Sequence, residues 1–107
     1  MSTHPDTEIQ ALLADLWRRH LPSLVERIVV LERAAAEATS GTIPEAVRAE
    51  AQSVAHKLAG NLGMFGHRQA GEIASQIEQT LKAPAPETLA GLAPVVASLR
   101  QSLNGHL

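Results

Sequence analysis

No cysteine and no tyrosine occur in the 107-residue chain, and phenylalanine and tryptophan occur once each. The absence of cysteine excludes disulfides, thiolate metal sites and a cysteine nucleophile, and it fits a reducing compartment. Aromatic and β-branched residues, the material of strands, give way to 18 alanines and 14 leucines, which favour helix. Charge is sparse: nine Lys and Arg against eleven Asp and Glu leave a net charge of −2. No basic field is available to hold nucleic acid. The longest apolar runs, such as Ile28 to Leu31, fall far short of a membrane span, and the start Met1 to Asp6 carries neither the basic nor the apolar region of a signal peptide. The expectation is one cytoplasmic domain over residues 1–107, a monomer with neither membrane nor nucleic acid as partner.

Punctuation divides the chain into helical stretches. Ile9, Leu12, Leu13 and Leu16 recur at helical spacing between Thr7 and His20, and Pro22 then suits the first turn of a new helix. Leu24, Ile28, Leu31, Ala35 and Ala38 continue to the loop Thr39 to Thr42. Pro44 opens a third helix with the stripe Val47, Ala51, Val54, Leu58, Leu62 and Phe65, and Gly66 stops it. A fourth helix carries Ala70, Ile73, Ala74, Ile77 and Leu81 up to the stiff linker Ala83 to Pro86. Leu89, Leu92, Val96, Leu99 and Leu103 make a fifth stripe closed by Asn104-Gly105, with Pro94 kinking or splitting it. The economical architecture is all-α: an up-down antiparallel four-helix bundle with a short N-terminal lead helix across one end. Trp17 would cap that end, with Phe65 as its plug.

The third helix has an unusual outer face. At about 100° per residue His56 falls opposite the core stripe, among Ala49, Gln52, Ser53, Ala59, Gly60 and Gly63. Outer faces usually carry long charged side chains, and each interior glycine costs roughly 1 kcal/mol against alanine. The glycines could let another part of the chain pass close by, with His56 an ordinary surface histidine. Alternatively, small residues clear the approach to one projecting imidazole so that a partner's active site can reach it. Imidazole is a good nucleophile and is largely neutral near pH 7.

The stretch Ala55-His56-Lys57-Leu58-Ala59-Gly60-Asn61-Leu62-Gly63-Met64-Phe65-Gly66 resembles the signature of histidine-containing phosphotransfer domains. That signature has a histidine, an apolar residue two later, a lysine three later, a glycine four later and another ten later. Leu58, Gly60 and Gly66 match, while Ala59 stands where the lysine is expected. The resemblance runs on to Ile77-Glu78, and the family's bundle with a short lead helix is compatible with the whole chain.

Glu78 can also be placed by counting. In an antiparallel hairpin turning about Gly66 and His67, His56 lies ten residues before Gly66 and Glu78 twelve after it, nearly level. A carboxylate accepting from Nδ1–H would leave the lone pair on Nε2 and stabilise the cation formed in transfer. The resemblance to chemotaxis-kinase domains implies that same role for a glutamate at this offset. The plainer possibility is a solvated acid paired with Lys82 at i+4. Lys57, one residue from His56, reaches a phosphate only from the side. His4, His20, His67 and His106 show no spacing that makes a convincing metal site, and a metal at His56 and Glu78 is disfavoured.

The resemblance implies a phosphoryl carrier rather than an enzyme, free-standing or a module of a larger signalling protein. His56 would accept phosphate from a receiver-domain aspartyl phosphate and pass it to another receiver. Lys57, Ala59, Gly60, Gly63, Gln52 and Ser53 would form the receiver-docking face. The chain would need no cofactor of its own, Mg²⁺ being supplied by the receiver. Two rivals remain: a phosphate-free interaction module, for which Ala59 speaks, and the acceptor domain of a hybrid or chemotaxis-type histidine kinase.

Overall fold

Pro22 does not open a helix but lies inside one. The computed structural model describes residues 5–107, so His4 and the residues before it lie outside the described part. The first helix, α1, runs unbroken through Pro5–Glu37. The expected lead helix and second helix are therefore one, and no separate segment lies across the bundle end. Trp17, Leu24, Ile28, Leu31 and Ala35 form one stripe against the same core on both sides of the proline. Pro22 itself is exposed, so the carbonyl it leaves without a donor is hydrated, and the helix continues.

A 3-10 turn at Ala38–Ser40 leads to α2, Glu45–Met64, and α3, Arg68–Lys82. The fifth stripe is in two pieces, α4 at Pro86–Ala90 and α5 at Leu92–Ser102. The break comes at Gly91 rather than Pro94, which occupies the first turn of α5, where a missing N–H costs nothing. All the regular structure of the described residues is helical.

α2 packs on α3, α3 on α5, α5 on α1 and α1 on α2, closing a ring around one core. Leu24, Ile28, Leu58, Leu62, Ile77, Leu81, Leu99 and Leu103 are fully buried in it. Each such side chain contributes about 1.5–3 kcal/mol. Glu32 accepts two hydrogen bonds of 2.8 Å from Arg100, tying α1 to α5. Both side chains are roughly 40% exposed, so screening limits that pair to at most about 1 kcal/mol.

At about 1.5 Å per residue α1 is some 50 Å long against 30 Å for α2, and the molecule measures 60 × 21 × 20 Å. The excess lies at the N-terminus. Trp17 sits at the bundle end as expected, its Nε1 donating to the His106 carbonyl at 2.8 Å and its ring 4.3 Å from His67 and 5.3 Å from Phe65. Phe65 is half-buried at that end, not a plug in the core. The turns of α1 before Trp17 project beyond it.

Candidate functional site

The turn that aligns α2 with α3 is made by backbone bonds. The N–H of His67 donates to Leu62 at 2.9 Å and that of Gly66 to Gly63 at 3.1 Å, with Gly66 at φ 83°. This pairing of bonds closes a helix on a left-handed residue, which glycine adopts without cost. α3 then returns close against α2. A Cβ on buried Gly71 would stand 3.4 Å from the Gly63 nitrogen and 3.5 Å from the Ala59 carbonyl oxygen, already in contact.

That alignment brings His56 and Glu78 together, with Nδ1 and Oε2 2.5 Å apart. The side chain of His56 is 76% exposed and that of Glu78 only 16%. A largely covered carboxylate thus holds one nitrogen of a ring whose other nitrogen is left to solvent. With Glu78 ionised and the ring neutral, the proton sits on Nδ1, and Nε2 carries the lone pair.

Around the ring, Ala49, Gln52, Ser53, Glu78 and Lys82 line an open groove. Lys82 does not pair with Glu78 and makes no ion pair among the described residues. Gln52 accepts a hydrogen bond from Arg48 at 2.6 Å, which occupies its carbonyl and leaves its NH₂ free. Arg48 also donates to the Leu81 carbonyl at 3.0 Å and is held by Glu45 at 2.5 and 2.8 Å. The Glu45 bond keeps the Arg48 guanidinium protonated above its ordinary range. The sequence reading missed Arg48 and Gly71. The first carried a signal, its i+4 spacing to Gln52; the second is meaningful only once the facing helix is known.

The remaining expected site residues separate into two sets. Lys57, Ser53, Gly60 and Gly63 are exposed, and a Cβ at either glycine would meet nothing within 4 Å. Close internal packing is therefore not what requires them. Ala59, by contrast, is half-buried against the core on the side of α3, not on the open face. Its position, about 60° from His56 on the wheel, is rotated toward Gly71 rather than away. Exposed Met64 lies two turns beyond His56. His67 and His106 belong to the bundle end, their rings 4.8 Å apart. Burial, and then the charge of His106, hold His67 below its ordinary 6.5. Among the described residues no three His, Asp or Glu side chains converge as metal ligands, and no helix is long and apolar enough to cross a membrane.

Comparison with known proteins gives two matches. The family model described as Hpt domain matches residues 10–105. Protein RcaC of Microchaete diplosiphon is 34% identical over 71 residues, which are 66% of this chain and 11% of that protein. The chain thus corresponds to a small part of that relative's length. No solved structure matches.

Proposed function

Because the chain belongs to the Hpt family, the histidine phosphotransfer domains of two-component phosphorelays, which carry phosphate rather than act as enzymes, we propose that His56 is its phosphorylated residue and Glu78 the group that orients it. The scaffold is read as an up-down antiparallel four-helix bundle made by the C-terminal part of α1 with α2, α3 and α5. The observation that carries the reading is the 2.5 Å contact of Nδ1 with a covered carboxylate beneath an exposed ring.

The Nε2 lone pair attacks the phosphorus of an aspartyl phosphate on a receiver domain. As the N–P bond forms, the P–O bond to the aspartate breaks and the carboxylate leaves with its electron pair. The ring becomes a cation whose Nδ1–H remains on Glu78, so the charge that develops is met by a carboxylate already in place. The reverse step, on a second receiver, returns neutral imidazole. Such transfer depends on in-line placement and charge neutralisation more than on covalent assistance, and the receiver brings Mg²⁺ for much of that. On this chain Lys82 and the free Gln52 amide face the same groove as the ring and take the part of the lysine absent at position 59. Lys57, Gly60, Gly63, Ser53 and Met64 form the face on which the receiver lands, and the setting is cytoplasmic.

The test is incubation with phosphorylated receiver domains, scoring acid-labile, base-stable phosphate on the chain. His56→Gln should lose all of it and keep its helical circular dichroism, because the side chain is in water. Lys82→Ala should slow labelling by receivers while phosphoramidate, a small donor, still labels His56. Undiminished labelling of His56→Gln would refute the assignment.

A further inference from the structure

The projecting part of α1 has a pattern that the bundle does not use. Ile9, Leu12, Leu13 and Leu16 occupy one face of it at steps of three, one and three, and Ile9 and Leu12 are 55% and 59% exposed. Leu13 and Leu16 are half-buried, while Ile9 and Leu12 are left uncovered by the described residues, because the lead helix is not folded across the bundle end. Acidic Asp6 and Glu8 precede it and basic Arg18 and Arg19 follow it. Asp6 and Glu8 make no ion pair among the described residues. Arg18 and Arg19 reach Asp15 at 3.2 and 3.0 Å through side chains that are more than 70% exposed, a weak tie that leaves them open to a partner.

The order acid, apolar, apolar, base is complementary to its own reverse. Laid antiparallel on itself about a point between Leu12 and Leu13, the segment sets Ile9 opposite Leu16 and Leu12 opposite Leu13, and brings Asp6 and Glu8 to the level of Arg19, while Arg18, half a turn around from Ile9, points away from the seam. A parallel pairing would instead place acid on acid and base on base. In the antiparallel register the tip of one arm also arrives at the foot of the other, where Leu13, Trp17, Phe65 and His67 line a mainly apolar groove. From this self-complementarity of charge and apolar pattern we propose that the α1 arm is the contact between two copies of this chain, paired antiparallel about a two-fold axis through residues 12 and 13.

The two bundles would lie at opposite ends of the paired arms. His56 is nine residues down α2 from Phe65, about 13 Å along its axis, and stays clear of the contact. One short helical seam is smaller than the about 1,200 Å² at which specific interfaces become stable, so the association depends on concentration. The contact is isologous, each residue meeting its counterpart's partner, as two-fold contacts require.

Sedimentation equilibrium of the full chain over micromolar to millimolar concentrations tests this. The wild-type mass should rise from one chain toward two. Leu12→Glu should remain a single chain, and its circular dichroism should be unchanged because the position lies outside the core. Two charge variants isolate the register. Asp6→Lys with Glu8→Lys makes a predominantly basic arm in which Asp15 is the one remaining acid, and Arg18→Glu with Arg19→Glu makes an all-acidic one. Each alone should lose self-association, and an equimolar mixture should recover one-to-one pairs. A wild-type chain that stays single throughout, a mixture that fails to pair, or arm variants that block receiver-dependent labelling of a chain single at every concentration would each overturn the proposal.

Discussion

Gly71 of α3 lies so close to Gly63 of α2 that a Cβ on it would stand 3.4 Å from the Gly63 nitrogen. The two glycines are each seven residues from the pair they serve, Gly63 after His56 and Gly71 before Glu78. This close approach of the helices is thus two turns, about 10 Å, from the His56–Glu78 contact.

Substitution at position 71 separates size from presence. Gly71→Ala puts a methyl at ordinary contact distance and should fold at least as well, gaining up to about 1 kcal/mol of helix propensity. Gly71→Leu overfills the contact and should cost about 1–3 kcal/mol. It should also slow phosphotransfer by drawing Glu78 away. Thermal melts with transfer rates check this, and equal rates for the two variants would detach the glycine contact from the site.

Removing the carboxylate should slow transfer without ending it, since the imidazole keeps its own nucleophilicity. In Glu78→Ala the proton held on Nδ1 by the 2.5 Å contact is released to either nitrogen. Long-range ¹H–¹⁵N correlations of the neutral ring should move from the Nδ1–H form toward a mixture. An unchanged tautomer and rate would reduce Glu78 to a surface acid.

Gly60→Leu should leave the fold equal or firmer by up to about 1 kcal/mol, because a Cβ there meets nothing within 4 Å. The same side chain stands one turn from His56 in the path of a receiver. Labelling by receivers should fall at least tenfold while labelling by phosphoramidate persists. A destabilised protein would make Gly60 a packing residue.

Acid should loosen the end of the bundle. His67 is held below its ordinary 6.5 in the folded chain, by burial first and His106 second, so the unfolded chain binds the proton more readily. Stability contributed by the neutral ring is full above about 6.5, falls as pH drops through that value, and levels off below the folded pKa. Trp17, the single tryptophan, packs on His67 and reports the loss by fluorescence. The melting temperature should fall on acidification through this range in the wild type and fall less in His67→Asn. Equal slopes would place the effect elsewhere.

Much of the site was legible because a helical hairpin is countable. Gly66 marks the turn, and nearly equal distances from it, ten residues and twelve, put His56 and Glu78 nearly level before any coordinates are known. The helices of the core followed from their stripes. The long α1 did not, since a proline after an apolar stripe reads equally as a start or as an exposed interior position, and only the shared core on both sides of Pro22 decides. Pro94 was misread for the converse reason: it sits in a first turn, and Gly91 makes the break. Ala59, set on the outer face by the wheel, is half-buried and packs against the core. Gly71 carries meaning only through Gly63 opposite, a pairing that no local pattern contains.

The central claim is chemical and atom-specific, so locating the phosphate tests it most directly. The ¹⁵N-histidine-labelled chain, phosphorylated by a phosphorylated receiver and examined by ³¹P and ¹H–¹⁵N NMR, should carry one phosphoryl group on Nε2 of His56, with Nδ1 still protonated against Glu78. Phosphate on Nδ1, on His20, His67 or His106, or no phosphate at all would contradict it.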